Sequence, residues 1–449
     1  MTDYNTHPLL FSSLGSKKIC ADFNGGSLTS DAGALLLREM DKRLGLIDAI
    51  NRCVPDPRNQ FFIAHQQRTM LAQRILGIAL GYEDLNDHQS LRDDPLLQIV
   101  TERGVTKDGL PLASPPTLCR LENRIDRKSL ADIAEVFVET FIASFTEQPK
   151  ELLLDFDATD DPVHGNQEKR FFHGYYDNYC FLPLYVFCNS SLLVAYLRPS
   201  DIDASMHSRA ILKLLVKRFR QQWPNVRIII RCDSGFCRWR LMRWCDRNDV
   251  GYIVGLGRNA VLERISQPWT DISKTRFEQM QQKQRVFGEF LYAADTWDKQ
   301  RRVIVKAEHL QQGENTRFIV TNLTGDPQEL YDKLYCQRGQ AENRIKEQQL
   351  GLFADRTSCH DFVANQFRVL LSAAAYILVD TLRREGLSAT ELATAQVDTI
   401  RLKLLKIGAR IVCSVRRIVL HLAGGYPYKE LFACVLARLR GWIPAVASG

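Results

Sequence analysis

Three acidic side chains occupy positions suited to chemistry. Asp157 and Asp233 end apolar runs, and Glu342 borders an amphipathic helix. In the stretch LLLDFDA, strand alternation puts Leu152, Leu154, Phe156 and Ala158 on one face and Leu153, Asp155 and Asp157 on the other. Asp233 closes VRIIIRCD, a nearly continuous apolar run that reads as a central strand before the turn at Ser234-Gly235. Strand ends in α/β sheets are where such folds place active sites, although an Asp before Ser-Gly equally serves as a turn or helix cap. The third element opens at Asp326-Pro327-Gln328-Glu329, with Asp as cap and Pro at the first position. Along this helix Leu330, Leu334, Ala341 and Ile345 form an apolar stripe, and Tyr335, Arg338 and Glu342 line up beside it. A salt-bridged surface row is the competing reading of that line.

Two aspartates and a glutamate meeting over a sheet suit Mg²⁺ or Mn²⁺, because hard cations prefer carboxylate oxygen. Two such ions, about 3.5–4 Å apart, can activate a water or a 3′-hydroxyl and stabilise the leaving oxygen of a phosphodiester. Such a protein is acidic at the ions and basic around them, since its substrate is a polyanion. The chain carries 59 Lys and Arg against 52 Asp and Glu, a net charge of +7. From Arg401 to Arg440 the bases Arg401, Lys403, Lys406, Arg410, Arg416, Arg417, Lys429, Arg438 and Arg440 face only Glu430. Interleaved with Leu, Ile and Val, they read as a packed helix with one cationic side for phosphates.

The 12 cysteines have no zinc-like spacing and, without a signal-peptide pattern, suggest free thiols in a reducing cytoplasm. The run Val369–Val379 is too short to span a bilayer and reads as a buried helix of a soluble protein without a membrane role. Gly255-Leu256-Gly257 is too short to suggest a nucleotide cofactor site.

The elements that must position the acids follow from the patterning. Residues 1–27 look irregular, and Ser30-Asp31 caps a helix to about Leu44. Further helices are expected near 45–53, 63–80 and 92–103. After Ser114-Pro115-Pro116-Thr117 another helix bears Arg120, Asn123 and Arg124 at helical intervals, either a DNA-contacting face or an ordinary surface. Strands are expected at 151–158, 179–188, 192–198, 226–233 and 251–256, with helices at 205–222 (Ile211, Leu214, Leu215 and Phe219 inward) and 238–248. That order gives a mixed α/β sheet. Residues 262–324 look mainly extended, with strands at 284–293, 300–307 and 316–322, an insertion of β character. The expected organisation is a helical DNA-binding region over 1–145, a core over 146–261 resumed at 316–354, a β-rich insertion over 262–315, and a helical basic region over 355–449.

Asp157-Ala158-Thr159, Arg231-Cys232-Asp233-Ser234-Gly235-Phe236 and Tyr335-Cys336-Gln337-Arg338-Gly339-Gln340-Ala341-Glu342 resemble the three catalytic blocks of DDE transposases. The match is to bacterial insertion-sequence enzymes with the Tyr-x2-Arg-x3-Glu signature. The fuller stretches LDFDATDDPVHG, FFHGYYDNYCFLPLYVF, YCQRGQAENRIKE and LKLLKIGARIVCSVRRIVLHLA resemble insertion-sequence family thirteen-eighty in particular, over nearly the whole chain.

The resemblance implies a ribonuclease H-like core in which Asp157, Asp233 and Glu342 bind the metal ions, and Tyr335 and Arg338 contact phosphate near a transposon end. Its related superfamily has a Lys seven residues after the glutamate. Here that position is Gln349, and Lys346 lies one turn after Glu342. Some relatives hold a flipped base with a tryptophan of the insertion, for which Trp297 is the counterpart and a core tryptophan the competing reading. The implied activity is cut-and-paste DNA transposition by a homodimer on double-stranded DNA. A structure-specific nuclease and a catalytically silent repressor are the alternatives. Within LDFDATDDPVHG, Asp157 is the expected ligand, Asp155 a supporter or a neutralised charge, and Asp160 and Asp161 turn residues.

Overall fold

The computed structural model describes residues 9–103 and 110–441. They form two compact units, one from Ile125–Ala373 and one from Met1–Arg124 with Ala374–Gly449.

The central unit is mixed α/β. Its main strands are β1 (Glu151–Ala158), β2 (Leu184–Cys188), β3 (Ser191–Tyr196), β4 (Arg227–Cys232), β5 (Val250–Leu256), β6 (Gln284–Tyr292), β7 (Arg301–Leu310) and β8 (Arg317–Thr321), in the order β6-β7-β8-β5-β4-β1-β2-β3. β4 runs parallel to both β1 and β5, and the other neighbours are antiparallel. The three parallel strands are largely buried, as strands covered on both faces must be.

One face, carrying Leu152, Leu154, Phe156, Ile228, Ile230, Val254 and Val305, forms the larger core. Its cover comes from the helices Arg127–Ala143, Ser208–Gln222, Trp239–Arg247 and Ala260–Met280. The other face presents Ile229, Ile253, Ile304 and Ile319 to Leu330, Tyr331, Leu334 and Tyr335. By alternation Asp155 and Asp157 belong to this second face.

Several expectations are corrected. The run 179–188 breaks at Leu182-Pro183 into Asn178–Phe181, which joins a small sheet with Phe171–His173 and Asp161–Pro162, and β2 of the main sheet. Asp161 is therefore no turn residue. It is 1% exposed, accepts from Thr357 Oγ1 at 3.0 Å, and burial holds its carboxyl well above the usual range. In Ser208–Gln222 the inward residues are Leu212, Leu215, Val216 and Phe219, while Leu214 is exposed.

The 262–315 span is not a sheet of its own. It is opened by a 21-residue helix, Ala260–Met280, capped by Asn259, and its strands extend the central sheet. The helix buries Leu262, Ser266, Thr270 and Ser273. This stripe is too polar to register as amphipathic, and Pro268 argues against a helix. Small side chains let it sit close on β6 and β7, where Trp269 lies over Gly288.

The second unit joins both ends of the chain. Its helices Ala34–Leu44, Leu46–Cys53, Gln67–Leu80, Pro95–Val100 and Pro115–Asn123 form the largely helical part. Leu9–Leu14 and Lys17–Ala21 form a hairpin where irregular chain is expected, the first eight residues of that stretch lying outside the described residues. Gly33, rather than Ser30 or Asp31, flanks the first helix; Asp31 is buried against Lys406 (2.6 Å) and Tyr82 (2.7 Å).

The basic segment is not one helix either. Ala409–Cys413 and Ile418–Leu422 form a hairpin that pairs with Leu28–Thr29. Ile411, Val412, Ile418 and Val419 are β-branched residues, stiff at χ1 and suited to a pleated strand. The helix Phe362–Thr381, with the turn to Gly386, is long and apolar enough to cross a membrane, yet 89% of its most apolar window is buried in the protein.

The packing of Trp269 gives a direct test. A Cβ on Gly288 would lie 2.1 Å from the Trp269 ring, so Gly288→Ala should cost at least about 1–3 kcal/mol, the usual scale of overpacking. Thermal melting of that variant against Gly288→Ala with Trp269→Leu measures it; an unchanged melting temperature in the single variant would refute the close approach.

Candidate active site at the ends of the parallel strands

β1 ends on Asp157-Ala158, and the chain leaves the sheet at Thr159. β4 ends on Cys232, and Asp233 caps the following turn, its Oδ1 accepting from Gly235 N at 2.9 Å. The cap reading of Asp233 is thus realised alongside its place at the strand end. The third acid arrives on a helical segment running from Pro327 to Gly351 across the second face. Around Tyr335 this segment changes pitch, from wide i→i+5 turns at Leu330–Tyr335 to a tight turn at Cys336–Arg338, then α-helix over Gly339–Lys346. Such departures from α geometry recur at functional sites.

Two arginines fix this segment to the strands. In the parallel register Arg231 of β4 lies directly beside Asp155 of β1. Arg231 Nε and Nη2 donate to the two Asp155 oxygens at 2.5 and 2.7 Å, and Arg231 Nη1 donates to the Leu334 carbonyl at 2.5 Å. Asp155 and Arg231 are only 2% and 4% exposed. Burial raises the Asp155 carboxyl above its usual range, against the pull of Arg231. Asp155 is therefore a neutralised structural charge.

One turn further on, Arg338 spans two of the three acids. Its Nη1 lies 3.2 Å from Asp157 Oδ2 and its Nη2 lies 2.5 Å from Glu342 Oε1. Burial pulls the Arg338 pKa down, but the Asp157 and Glu342 carboxylates outweigh it and leave it raised. Asp157 is buried and pushed up to about 7. Desolvation contributes most; Arg338 opposes it, and Asp233 and Glu342 add repulsion. The three carboxylates thus lie within one another's field.

Tyr335 reaches the same place from above β5. A Cβ on Gly255 would stand 2.6 Å from the Tyr335 hydroxyl and 2.8 Å from Ser234 N, so only glycine lets the ring pack beside Asp233. Burial pushes the Tyr335 phenol up to about 12.

The donor set is all carboxylate oxygen, which fits Mg²⁺ or Mn²⁺ in kind. Among the described residues no three His, Cys, Asp or Glu side chains converge closely enough to grip an ion as they stand. The Arg338 guanidinium supplies the positive charge between Asp157 and Glu342 instead.

The remaining sequence candidates fall in varied surroundings. Lys346 is exposed one turn beyond Glu342, while Gln349 donates to the Asp160 carbonyl at 2.9 Å and ties the helix to the end of β1. Trp297 is half-buried and packs against the larger core, its ring 5.5 Å from Tyr292, on the face opposite the carboxylates, as the competing reading of a core tryptophan expects. Arg124 is half-buried, paired with Asp56 at 3.3 Å and bonded to Gln67, whereas Arg120 is exposed. Arg410 is exposed on its strand, and Arg416 and Arg417 are exposed at the hairpin turn. The positioning roles of Arg231 and Gly255 are not visible in the sequence. The alternation that selects Asp155 also puts Arg231 on a strand face, but only the register makes them neighbours.

Residues 11–442 match the family model described as transposase DDE domain group 1. No curated protein matches the chain. Among solved structures, the cryo-EM structure of the piggyBac transposase synaptic complex with hairpin DNA is similar at a TM-score of 0.43 and 9% identity, covering 84% of this chain and 80% of that one.

Two measurements probe the electrostatics. Removing one partner of a buried ion pair strands the other charge, so Asp155→Ala should lower stability to denaturant by about 3–5 kcal/mol. Asp155→Leu with Arg231→Met should recover much of that, and a loss of under about 1 kcal/mol in the single variant would contradict the pairing. For Asp157, a folded-state pKa of about 7 against the ordinary carboxyl value of 3.8 means the folded protein holds its proton longer. Its contribution to stability is full below about pH 4 and is lost as the pH rises through about 7. In the presence of EDTA, Asp157→Asn should therefore gain in melting temperature relative to wild type between those limits and level off above them. A pH-independent difference would exclude the raised pKa.

Proposed function

Since the chain belongs to the transposase DDE domain group 1 family, we propose that it is a DNA transposase that cuts at terminal inverted repeats and joins 3′-hydroxyl ends to target DNA, with Asp157, Asp233 and Glu342 as its catalytic residues. The observation that carries the proposal is the meeting of these three acids, from two parallel strand ends and one helix, around Arg338. We read the strand order β3-β2-β1-β4-β5 as ribonuclease H-like, with β6–β8 added at the β5 edge. The finer kinship to insertion-sequence family thirteen-eighty rests on the sequence stretches that resemble it. A bacterial, cytoplasmic enzyme acting as a dimer on two DNA ends belongs to the same proposal.

The three carboxylates would hold Mg²⁺ or Mn²⁺, two ions per site, which when bound supply charge for activating water or a 3′-hydroxyl and for the leaving oxygen. The side chains have separate tasks. Asp157 gives up its proton to become an oxygen donor, which its pKa of about 7 makes easy near neutrality once repulsion is relieved. Arg338 exchanges its carboxylate partners for a phosphate, whose planar, bidentate demand suits a guanidinium. That exchange frees Asp157 and Glu342 together. Tyr335 stays protonated, its phenol at about 12, and offers a hydroxyl donor beside Asp233. The exposed Arg410, Arg416 and Arg417 and the exposed Arg120 are available to DNA phosphates. A nuclease without strand transfer is separated from this reading by supplying a target plasmid.

We expect Asp157→Asn, Asp233→Asn and Glu342→Gln each to reduce Mg²⁺-dependent cleavage of end-bearing DNA by about a thousandfold or more, since charge stabilisation by such ions is worth several kcal/mol. Binding, followed by gel shift, should change little. Cleavage at the wild-type rate in any one variant removes that residue from the set.

A further inference from the structure

Between β1 and β2 the chain makes an excursion that the three acids do not require. Phe171–His173 pairs with Asn178–Phe181, and the turn between them carries Gly174-Tyr175-Tyr176-Asp177. Four aromatic rings stand out in solvent here: Phe171 is 40% exposed, Phe172 53%, Tyr175 85% and Tyr179 49%. The frame beneath them is held firmly. Ser200 Oγ donates to the Phe171 carbonyl at 2.9 Å, and Glu168 N donates to the His360 carbonyl at 2.9 Å.

The hairpin lies against the acidic centre. Asn178 Nδ2 donates to Asp160 Oδ2 at 3.2 Å, and Asp160 is the residue whose carbonyl Gln349 holds. Tyr176 is near enough to Asp160, Asp157 and Asp233 for their charges to add to burial in raising its phenol to about 12. Two cations stand at the start of the hairpin: Arg170 lies 4.7 Å from the Tyr179 centroid, and Lys169 lies 4.9 Å from that of Phe362 on a neighbouring helix. Phe172 and Tyr179 meet edge to face at 5.6 Å, and so do Tyr175 and Tyr176 at 5.0 Å. Exposed rings flanked by half-buried cations match the two components of a single strand, flat bases and charged phosphates. An apolar protein surface would match the rings but make no use of the positive charge of Arg170 and Lys169.

We propose that the Phe171–Phe181 hairpin is a stacking platform for unpaired nucleobases, with Phe172, Tyr175 and Tyr179 taking bases of the DNA strand whose end lies at Asp157, and Arg170 and Lys169 along its phosphates. The proposal rests on the reading of the acids as a DNA-cleaving site. Stacking does not distinguish one base from another, so the platform grips a strand end without reading its sequence. Opening the last pairs of a duplex beside the acids becomes less costly when the freed bases have rings to stack on.

The test uses the full chain and a short single strand carrying 2-aminopurine, alone and annealed into a duplex. Wild type should bind the single strand and quench its fluorescence. Phe172→Ala with Tyr175→Ala should weaken that binding by about 5- to 100-fold, abolish the quench and leave duplex affinity unchanged, while Tyr175→Trp should retain both. Single-strand affinity and quench unchanged in the double alanine variant overturn the platform. So does a loss of self-association in that variant with single-strand binding intact, which would make the rings a protein contact. Absence of Mg²⁺-dependent cleavage by wild type, with single-strand binding lost in the double variant, would refute the catalytic reading and leave the platform supported.

Discussion

Arg231 is a fork with all of its prongs occupied inside the protein. Two prongs grip Asp155 on the neighbouring strand, and the third grips the Leu334 carbonyl on the segment packed above. Any one of these bonds could form in many folds; together they specify a strand register and the seating of a helix on it. The next residues of that helix include Tyr335 and Arg338, so the position of the acidic edge is inherited from a charge pair buried one layer below. A hydrophobic trio could fill the same space with equal or greater stability. It would not fix a carbonyl in one place, and the acids around Arg338 depend on that place.

The same logic runs outward with decreasing burial. Asp155 is a charge matched and sealed; Asp157 is nearly sealed and matched only in part; Glu342 and Asp233 are open to solvent on one side. The site thus has a gradient from structural to exchangeable charge along about two strand residues. Arg338 sits at the exchangeable end. Because it holds two acids that repel each other, removing it without providing another cation would be unfavourable, and this couples departure of the guanidinium to arrival of positive charge.

How much of this was readable depended on whether the relevant pattern was local. Asp157 and Asp233 were legible because each ends a run of Leu or Ile whose period is visible in a few residues. The start of the third element was legible from Asp326-Pro327 for the same reason. The helix Ala260–Met280 was missed because its buried stripe is Leu, Ser, Thr and Ser, chosen for close approach to strands that the sequence does not display beside it. The hairpin Ala409–Leu422 was misread as helix because spaced arginines drew more weight than the β-branched residues between them. Arg231 and Gly255 were invisible as site residues: one needs the strand register to acquire its partner, the other needs Tyr335 overhead to explain why a side chain is missing.

The terminal unit is stitched from the two ends of the chain. Leu28–Thr29 finds its sheet partner only at Ala409–Arg410. At roughly 5–20 residues per second, synthesis leaves that early strand waiting for on the order of half a minute, while the whole of Ile125–Ala373 emerges and can fold. Assembly of this protein is therefore out of order with its synthesis: the part made second is the first able to be complete. A ribosome that stops early releases a finished acidic centre attached to a terminal unit that lacks its closing hairpin.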